Sequence, residues 1–490
     1  MGGRAEMSGK IRKPVTPRRV LGWLFRGIGA LLLCFFLAIT VPYAWNHPGV
    51  SQEYREQVSA TDFRDQTTGP ERVRLIADNQ DALEERIRLI TGAEERVIYA
   101  SFDLRIDNSG QDVLALLLNA AQRGVRVQLL VDGLMPYTQI GNWDFFRALA
   151  AQPNVELRRY NPPSLLRPLE FHGRMHDKYV IADETAYLLG GRNTYDYFLG
   201  DYPTNHPSRD LELLVYNTLG DDTQGSMAQV LDYFRSVWSL ECTVPWFEDE
   251  SLLEDAGVQQ AISQLEDRFQ WLKNTYPEAF QSVDYEAKTQ EAGAIHLVSN
   301  PVNPQVKEPR VLYAMTQLLS SAQEEVLFQS PYVVCNDAMY DSLEQIVSAV
   351  PSVTLLVNNV VTGENIMASS DYLRSKGAIL ETGVTLYEYA VINNHSKCAV
   401  IDGDLAIVGS FNWDMRSAYL DTELMLVVAS PELNQSLRAY TQSLLAESRF
   451  CVDENTYETP VGVTAPVMPA GKGVILGLLQ IVTIPLRSLL

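Results

Sequence analysis

His176-Asp177-Lys178, followed by Asp183 and then Gly190-Gly191-Arg192-Asn193, returns 219 residues later as His395-Ser396-Lys397, Asp402 and Gly409-Ser410-Phe411-Asn412. Both stretches have the form H-x-K-x4-D-x6-G-[GS]-x-N, with no insertion in either copy. Histidine is scarce, six in 490 residues, so two of the six inside one long pattern point to internal duplication rather than chance.

The flanks repeat as well. Residues 94–101, EERVIYAS, resemble 324–330, EEVLFQS, each reading as a buried strand. A helix is expected over 112–122 in the first half and 339–348 in the second. A second strand is expected over 125–131 and 353–357. The HxK strands follow at 178–181 and 397–401, then strands at 187–189 and 406–408 that run into the Gly-Gly or Gly-Ser turn. A last strand is expected at 211–215 and 424–428. Strands alternating with helices predict a layered α/β domain in each half.

In an extended chain, residues i and i+2 share a face, so His176 projects with Lys178 and His395 with Lys397. If the halves pack about a pseudo-two-fold axis, both pairs meet in one cleft. Two imidazoles, two ammonium groups and the amides of Asn193 and Asn412 suit a phosphodiester. Lys178, Lys397, Asn193, Asn412 and the Ser410 hydroxyl are expected to bind its non-bridging oxygens. One imidazole can attack phosphorus while the other protonates the leaving alcohol. Side chains supply the positive charge, so neither a metal nor another cofactor is expected; there is no ligand set such as HExxH.

Each histidine needs a partner to fix its tautomer. By place within each half, Glu423 is expected to orient His395 and Asp210 to orient His176, with Glu212 in reserve. Asp183 and Asp402 belong to the catalytic pattern but read as structural or tuning residues, not proton carriers. His172, two residues ahead of Arg174, is expected to serve locally. His47, His206 and His296 receive structural readings.

The net charge of −22 argues against nonspecific nucleic-acid binding, though an acidic protein can hold a local cationic site, and no nucleic-acid partner is expected. The five cysteines are too sparse for a disulfide framework or a CxxC zinc site, with one disulfide left open. Residues 27–45 form a 19-residue stretch without a charge, near the roughly 20 needed to cross a bilayer as a helix. Arg4, Lys10, Arg12, Lys13, Arg18, Arg19 and Arg26 precede it, whereas residues 46–63 carry Arg55 alone. This asymmetry predicts an uncleaved single-pass anchor with its N-terminus in the cytoplasm and the body outside. The apolar tail 473–490, interrupted by glycines and Pro485, is expected to lie in the membrane interface rather than span it. The expected organisation is an anchor over 1–50, lobes over 51–245 and 293–455, an acidic linker over 246–292 and a membrane-proximal tail over 456–490. A linker helix carrying Val258, Ala261, Ile262, Leu265, Phe269 and Leu272 is expected to pack on both lobes.

With its two HxKxxxxD motifs the chain resembles the phospholipase D superfamily over roughly residues 75–450. Residues 174–178 with 190–193, and residues 409–417 with Thr422-Glu423, look like bacterial cardiolipin synthases of the C type. The resemblance implies two phospholipase D-like α/β/α sandwich lobes. It implies a phosphatidyl transfer in which His176 is the nucleophile, His395 the acid, and a hydroxyl of phosphatidylglycerol the acceptor. It places the protein in the bacterial inner membrane with the catalytic body facing the periplasm. Phosphatidylethanolamine is a further candidate substrate. The competing readings are a phospholipase D hydrolase releasing phosphatidic acid, a nuclease, and a silent lipid-binding scaffold. Gly191 departs from the serine more usual in the superfamily.

Overall fold

The computed structural model describes residues 17–221 and 224–490. Two nine-stranded sheets carry the chain, and eight strands of each follow the same order once the edge strands Gln290–Glu291 of the first and Tyr457–Glu458 of the second are set aside. The first runs Gln290–Glu291, Glu71–Ile76, Glu212–Asn217, Ala186–Gly190, Lys178–Ala182, Arg96–Ser101, Arg126–Asp132, Val155–Tyr160, Thr243–Pro245. The second runs Ile295–Ser299, Leu424–Ala429, Leu405–Gly409, Cys398–Ile401, Glu325–Gln329, Ser352–Asn358, Thr385–Tyr389, Ser448–Cys451, Tyr457–Glu458. The expected helices form at Asn108–Gln122 and Asp337–Ala349.

The central strands are nearly continuous apolar runs because both sheet faces are covered. Along Arg96–Ser101, Val97 and Tyr99 face the outer helices Asn79–Gly92 and Asn108–Gln122, while Ile98 and Ala100 face the other way. Ala399 and Ile401 likewise face outward in the second lobe, and Cys398 and Val400 face inward. The inward residues of both lobes merge into one core in which Ile98, Tyr187 and Leu213 join Val400, Val408 and Leu426. The lobes are therefore welded by apolar burial, the main driving force for such a contact.

The helix Ala256–Thr275 buries Val258, Ala261, Leu265 and Leu272 in the first lobe's outer core, beside Leu117 and Phe146. It packs on that lobe, not on both, because its apolar stripe meets the helices Asn108–Gln122 and Trp143–Ala150.

At the N-terminus the helix Pro17–Trp45 is long and apolar enough, over Leu21–Trp45, to cross a membrane. The C-terminal helix Ala470–Val482 has 13 residues, about 20 Å of length and too short to span. It sets Leu476 against the body and packs on the helix Ile366–Glu381, while Val474, Ile475, Leu478, Ile481 and Val482 stay exposed. All five cysteines are free; Cys34 is exposed on the N-terminal helix and the other four are buried.

Candidate active site

The HxK strands each pair antiparallel with the strand that opens their lobe's parallel run, Arg96–Ser101 or Glu325–Gln329. Each histidine therefore lies at the carboxyl end of a central strand, where ligands gather in α/β sheets. His176 and His395 precede the regular strands, in segments that cross to the other lobe. Met175 bridges Thr422 in parallel, and the Thr422 amide donates to the Arg174 carbonyl at 2.9 Å. Reciprocally, Asn393 and Asn394 pair with Ser208 and Arg209, and the His395 amide donates to the Arg209 carbonyl at 2.7 Å. The two exchanges give the lobes an approximate two-fold relation.

The exchange decides the histidine partners. Thr422 immediately precedes Glu423, and Arg209 immediately precedes Asp210. Each carboxylate thus arrives beside the other lobe's imidazole. His176 Nδ1 lies 2.9 Å from Glu423 Oε1, and His395 Nδ1 lies 2.6 Å from Asp210 Oδ2. The expected pairing within each half is corrected: the two carboxylates orient the histidines, but crosswise. Glu212, the reserve, instead forms a two-pronged buried ion pair with Arg86 at 2.7 and 2.8 Å.

Both imidazoles line one cavity of about 430 Å³ with Phe102, Asp103, Arg105, Asn193, Tyr195, Tyr332 and Glu364. Phe102 and Phe198 press against His176 and His395, with ring centroids 5.0 and 5.1 Å away. Lys178 donates to the His176 carbonyl. Lys397 lies 2.7 and 2.9 Å from the two ring nitrogens of His395 and donates to its carbonyl. The Asn193 and Asn412 side-chain oxygens are buried without a hydrogen-bond partner, and the Asn412 amide donates to Tyr332 Oη at 3.3 Å. Ser410 is not free to bind phosphate as expected. The tight turn after Leu405–Gly409 carries its hydroxyl behind the cleft, where it donates to Glu423.

Burial and the crowded cations set the proton affinities. Desolvation, then Lys178 and Lys397, holds His176 well below the usual imidazole value. Desolvation and Lys397 bring His395 down to about 4. Burial lowers Lys178 to about 7 and Lys397 to about 8. Burial pushes Glu423 well up against the opposing pull of Lys178. Burial also acts to raise Asp210, but Lys397 and His395 outweigh it, and the carboxyl ends below its ordinary value.

Asp183 and Asp402 sit at the far ends of the HxK strands, in turns with φ of 46° and 45°. Asp183 accepts the amides of Glu94, Glu95 and Arg96 at 2.8, 2.9 and 2.7 Å. Asp402 does the same for Gln323, Glu324 and Glu325 at 3.0, 2.9 and 3.2 Å. Seven residues of extended chain place each about 20 Å from its histidine, so neither reaches the reacting atoms.

Several supports carry no spacing signal in the sequence. Asp177, between His176 and Lys178, accepts the Thr422 and Tyr233 hydroxyls at 2.6 and 2.9 Å and so ties the lobes together. Asp132 accepts the Met175 amide at 3.0 Å, and buried Arg174 donates to the Asn161 carbonyl at 2.7 Å. Phe102 had a faint signal, since it directly follows the strand that pairs with the first HxK.

The sequence profile described as cardiolipin synthase, PLD-like domain, matches residues 87–238 and 315–445, more than half the chain. The chain belongs to this phospholipase D-like family. Within it, the chain is 28% identical to cardiolipin synthase C of Escherichia coli K12, covering 72% of this chain and 80% of the relative. It is 25% identical to cardiolipin synthase A of Pseudomonas aeruginosa, covering 79% and 69%. Its fold matches the crystal structure of phosphatidylserine synthase from Haemophilus influenzae Rd KW20 with a TM-score of 0.62 at 12% identity, over 90% of this chain and 99% of that one.

Proposed function

We propose that this protein is a membrane-anchored phosphatidyltransferase of the cardiolipin synthase type. The observation that carries the reading is the crossed pair of imidazole–carboxylate contacts facing one cavity. Each Nδ1 is held by a carboxylate, which leaves the His176 Nε2 for chemistry and sets the His395 Nε2 beside the Lys397 ammonium at 2.9 Å. The family membership and the apolar helix Leu21–Trp45 support a lipid substrate and a membrane location, and the cations ahead of that helix favour the body on the periplasmic side of an inner membrane.

His176 Nε2 attacks the phosphorus of a bound phospholipid. The P–O bond to the headgroup breaks, and the departing oxygen takes a proton from His395. A phosphatidyl-histidine results. His395 then removes the proton from a headgroup hydroxyl of phosphatidylglycerol, and that oxygen displaces His176 from phosphorus. With phosphatidylglycerol as donor too, the products are cardiolipin and glycerol. Lys178, Lys397, Asn193 and Asn412 balance charge on the phosphoryl oxygens. His395 is neutral in the empty site at pH 7, so it takes the proton it delivers from solvent as the anionic phosphodiester binds, whose charge raises the imidazole's proton affinity.

The test is to incubate purified protein with phosphatidylglycerol, with and without phosphatidylethanolamine, and analyse the lipids. Cardiolipin is expected. Phosphatidic acid alone would reassign the protein as a hydrolase in which water reaches the phosphohistidine.

A further inference from the structure

The segment between the strand Val155–Tyr160 and His176 carries Pro162-Pro163-Ser164-Leu165-Leu166-Arg167-Pro168-Leu169-Glu170-Phe171. Leu165, Leu166 and Leu169 are 79%, 92% and 53% exposed. Three leucines in water on one short loop form an apolar surface that a purely aqueous setting disfavours.

The loop packs along the apolar N-terminal helix. Phe171 meets Phe35 with ring centroids 6.1 Å apart. His172 meets Tyr43 edge-on at 5.2 Å, and the Tyr43 hydroxyl donates to the Leu169 carbonyl at 2.7 Å. The charge-free stretch of this helix, 27–45, is about 28 Å long, against a hydrocarbon layer of about 30 Å. Whether the crossing stretch is 27–45 or the whole of Leu21–Trp45, about 37 Å, Phe35, about 15 Å from Trp45, lies within the hydrocarbon. Whatever packs along positions 35–43 enters the bilayer with it. The turn Ile484–Leu489 also packs on this helix, so the exposed apolar face of Ala470–Val482 continues the same surface. The loop's two charges, Arg167 and Glu170, pair with each other at 3.1 Å.

We propose that Leu165, Leu166 and Leu169 insert into the leaflet on the body side of the membrane. The insertion fixes the loop that leads into His176 at lipid depth and presents the cleft to phospholipids without their leaving the bilayer. This inference rests on the membrane-spanning reading of the helix, not on the identity of the lipid product.

The test uses the full chain carrying Cys34→Ser, reconstituted in vesicles of phosphatidylglycerol and phosphatidylethanolamine. Nitroxide labels are placed singly through Leu166→Cys, Leu32→Cys on the helix, and Leu253→Cys as an aqueous reference. Collision with oxygen, which concentrates in lipid, is compared with collision with a water-soluble nickel chelate. The expected result is a lipid-type ratio at positions 166 and 32 and an aqueous ratio at 253. A lipid-type ratio at 32 with an aqueous ratio at 166 overturns the insertion while the span stands. Aqueous ratios at both overturn the span and the insertion together. The readout does not require turnover, so a negative cardiolipin assay leaves it intact.

Discussion

In the first lobe Gly191 lets the Asp210 carboxylate lie against the backbone, where a Cβ would stand 2.3 Å from Oδ1. In the second lobe Ser410 fills the corresponding place and its hydroxyl donates to Glu423. Strand order and histidine placement are duplicated, yet the two orienting carboxylates and their surroundings have diverged, and that difference separates the two imidazoles chemically. Asp210 stays ionised beside His395 and favours a proton on that ring, which suits an acid. Glu423, driven up by burial against the opposing pulls of Lys178 and the Ser410 hydroxyl, holds His176 in orientation with less negative charge. The divergence thus favours His176 as nucleophile and His395 as acid.

The broadest challenge to this comparison is removal of either ring. His176→Ala and His395→Ala should each cut phospholipid turnover by about 10³-fold or more, because nucleophile and proton donor act as a unit. Near-normal turnover in either variant would mean that one lobe alone suffices. A sharper challenge exchanges the diverged position. Gly191→Ser should lower turnover by roughly 10²-fold, since the new Cβ displaces Asp210 from His395. Ser410→Gly removes one hydroxyl donor and should cost about tenfold at most. Similar losses from the two exchanges would erase the asymmetry.

The remote turns should behave alike in both lobes. Asp183→Ala and Asp402→Ala each remove a carboxylate that accepts three backbone amides, at a cost of about 2–3 kcal/mol in stability. Denaturant titration reads this cost, and turnover per folded molecule should stay within a few-fold of the parent. A complete loss of turnover in folded protein would give these residues a chemical role. The subtlest prediction concerns the crossed partners. With six histidines, ¹⁵N spectra are tractable. Asp210→Asn should move the His395 ring signals and leave those of His176, and Glu423→Gln should do the reverse. His395 should titrate near pH 4, protonating as pH falls.

Much of this was readable in the chain. The duplicated pattern and the HxK strands, expected at 178–181 and 397–401 and found at 178–182 and 398–401, follow from motif and periodicity, because buried strands need apolar runs and hairpin turns need Asp or Gly; of the cavity lining, the motif supplied His176, His395 and Asn193. The crossed carboxylates were not readable. Asp210 and Glu423 stand at equal places in their own halves, and sequence spacing is blind to a strand segment that pairs across lobes. The tie from Asp177 to Thr422 escaped for the same reason, while the commitment of Ser410 to Glu423 lies within the second lobe and carries no spacing signal. Buried Lys307, brought down to about 7 by desolvation and donating to the Leu420 carbonyl, lies in a segment that carries no motif at all.

The most direct measurement is the site of the covalent intermediate. Protein turning over phosphatidylglycerol is denatured rapidly in detergent at mildly basic pH, which preserves both the acid-labile P–N bond and the acyl esters, and peptides are mapped by mass. A phosphatidyl adduct is expected on His176 and none on His395. Turnover with no adduct on either imidazole, or an adduct confined to His395, would contradict that assignment.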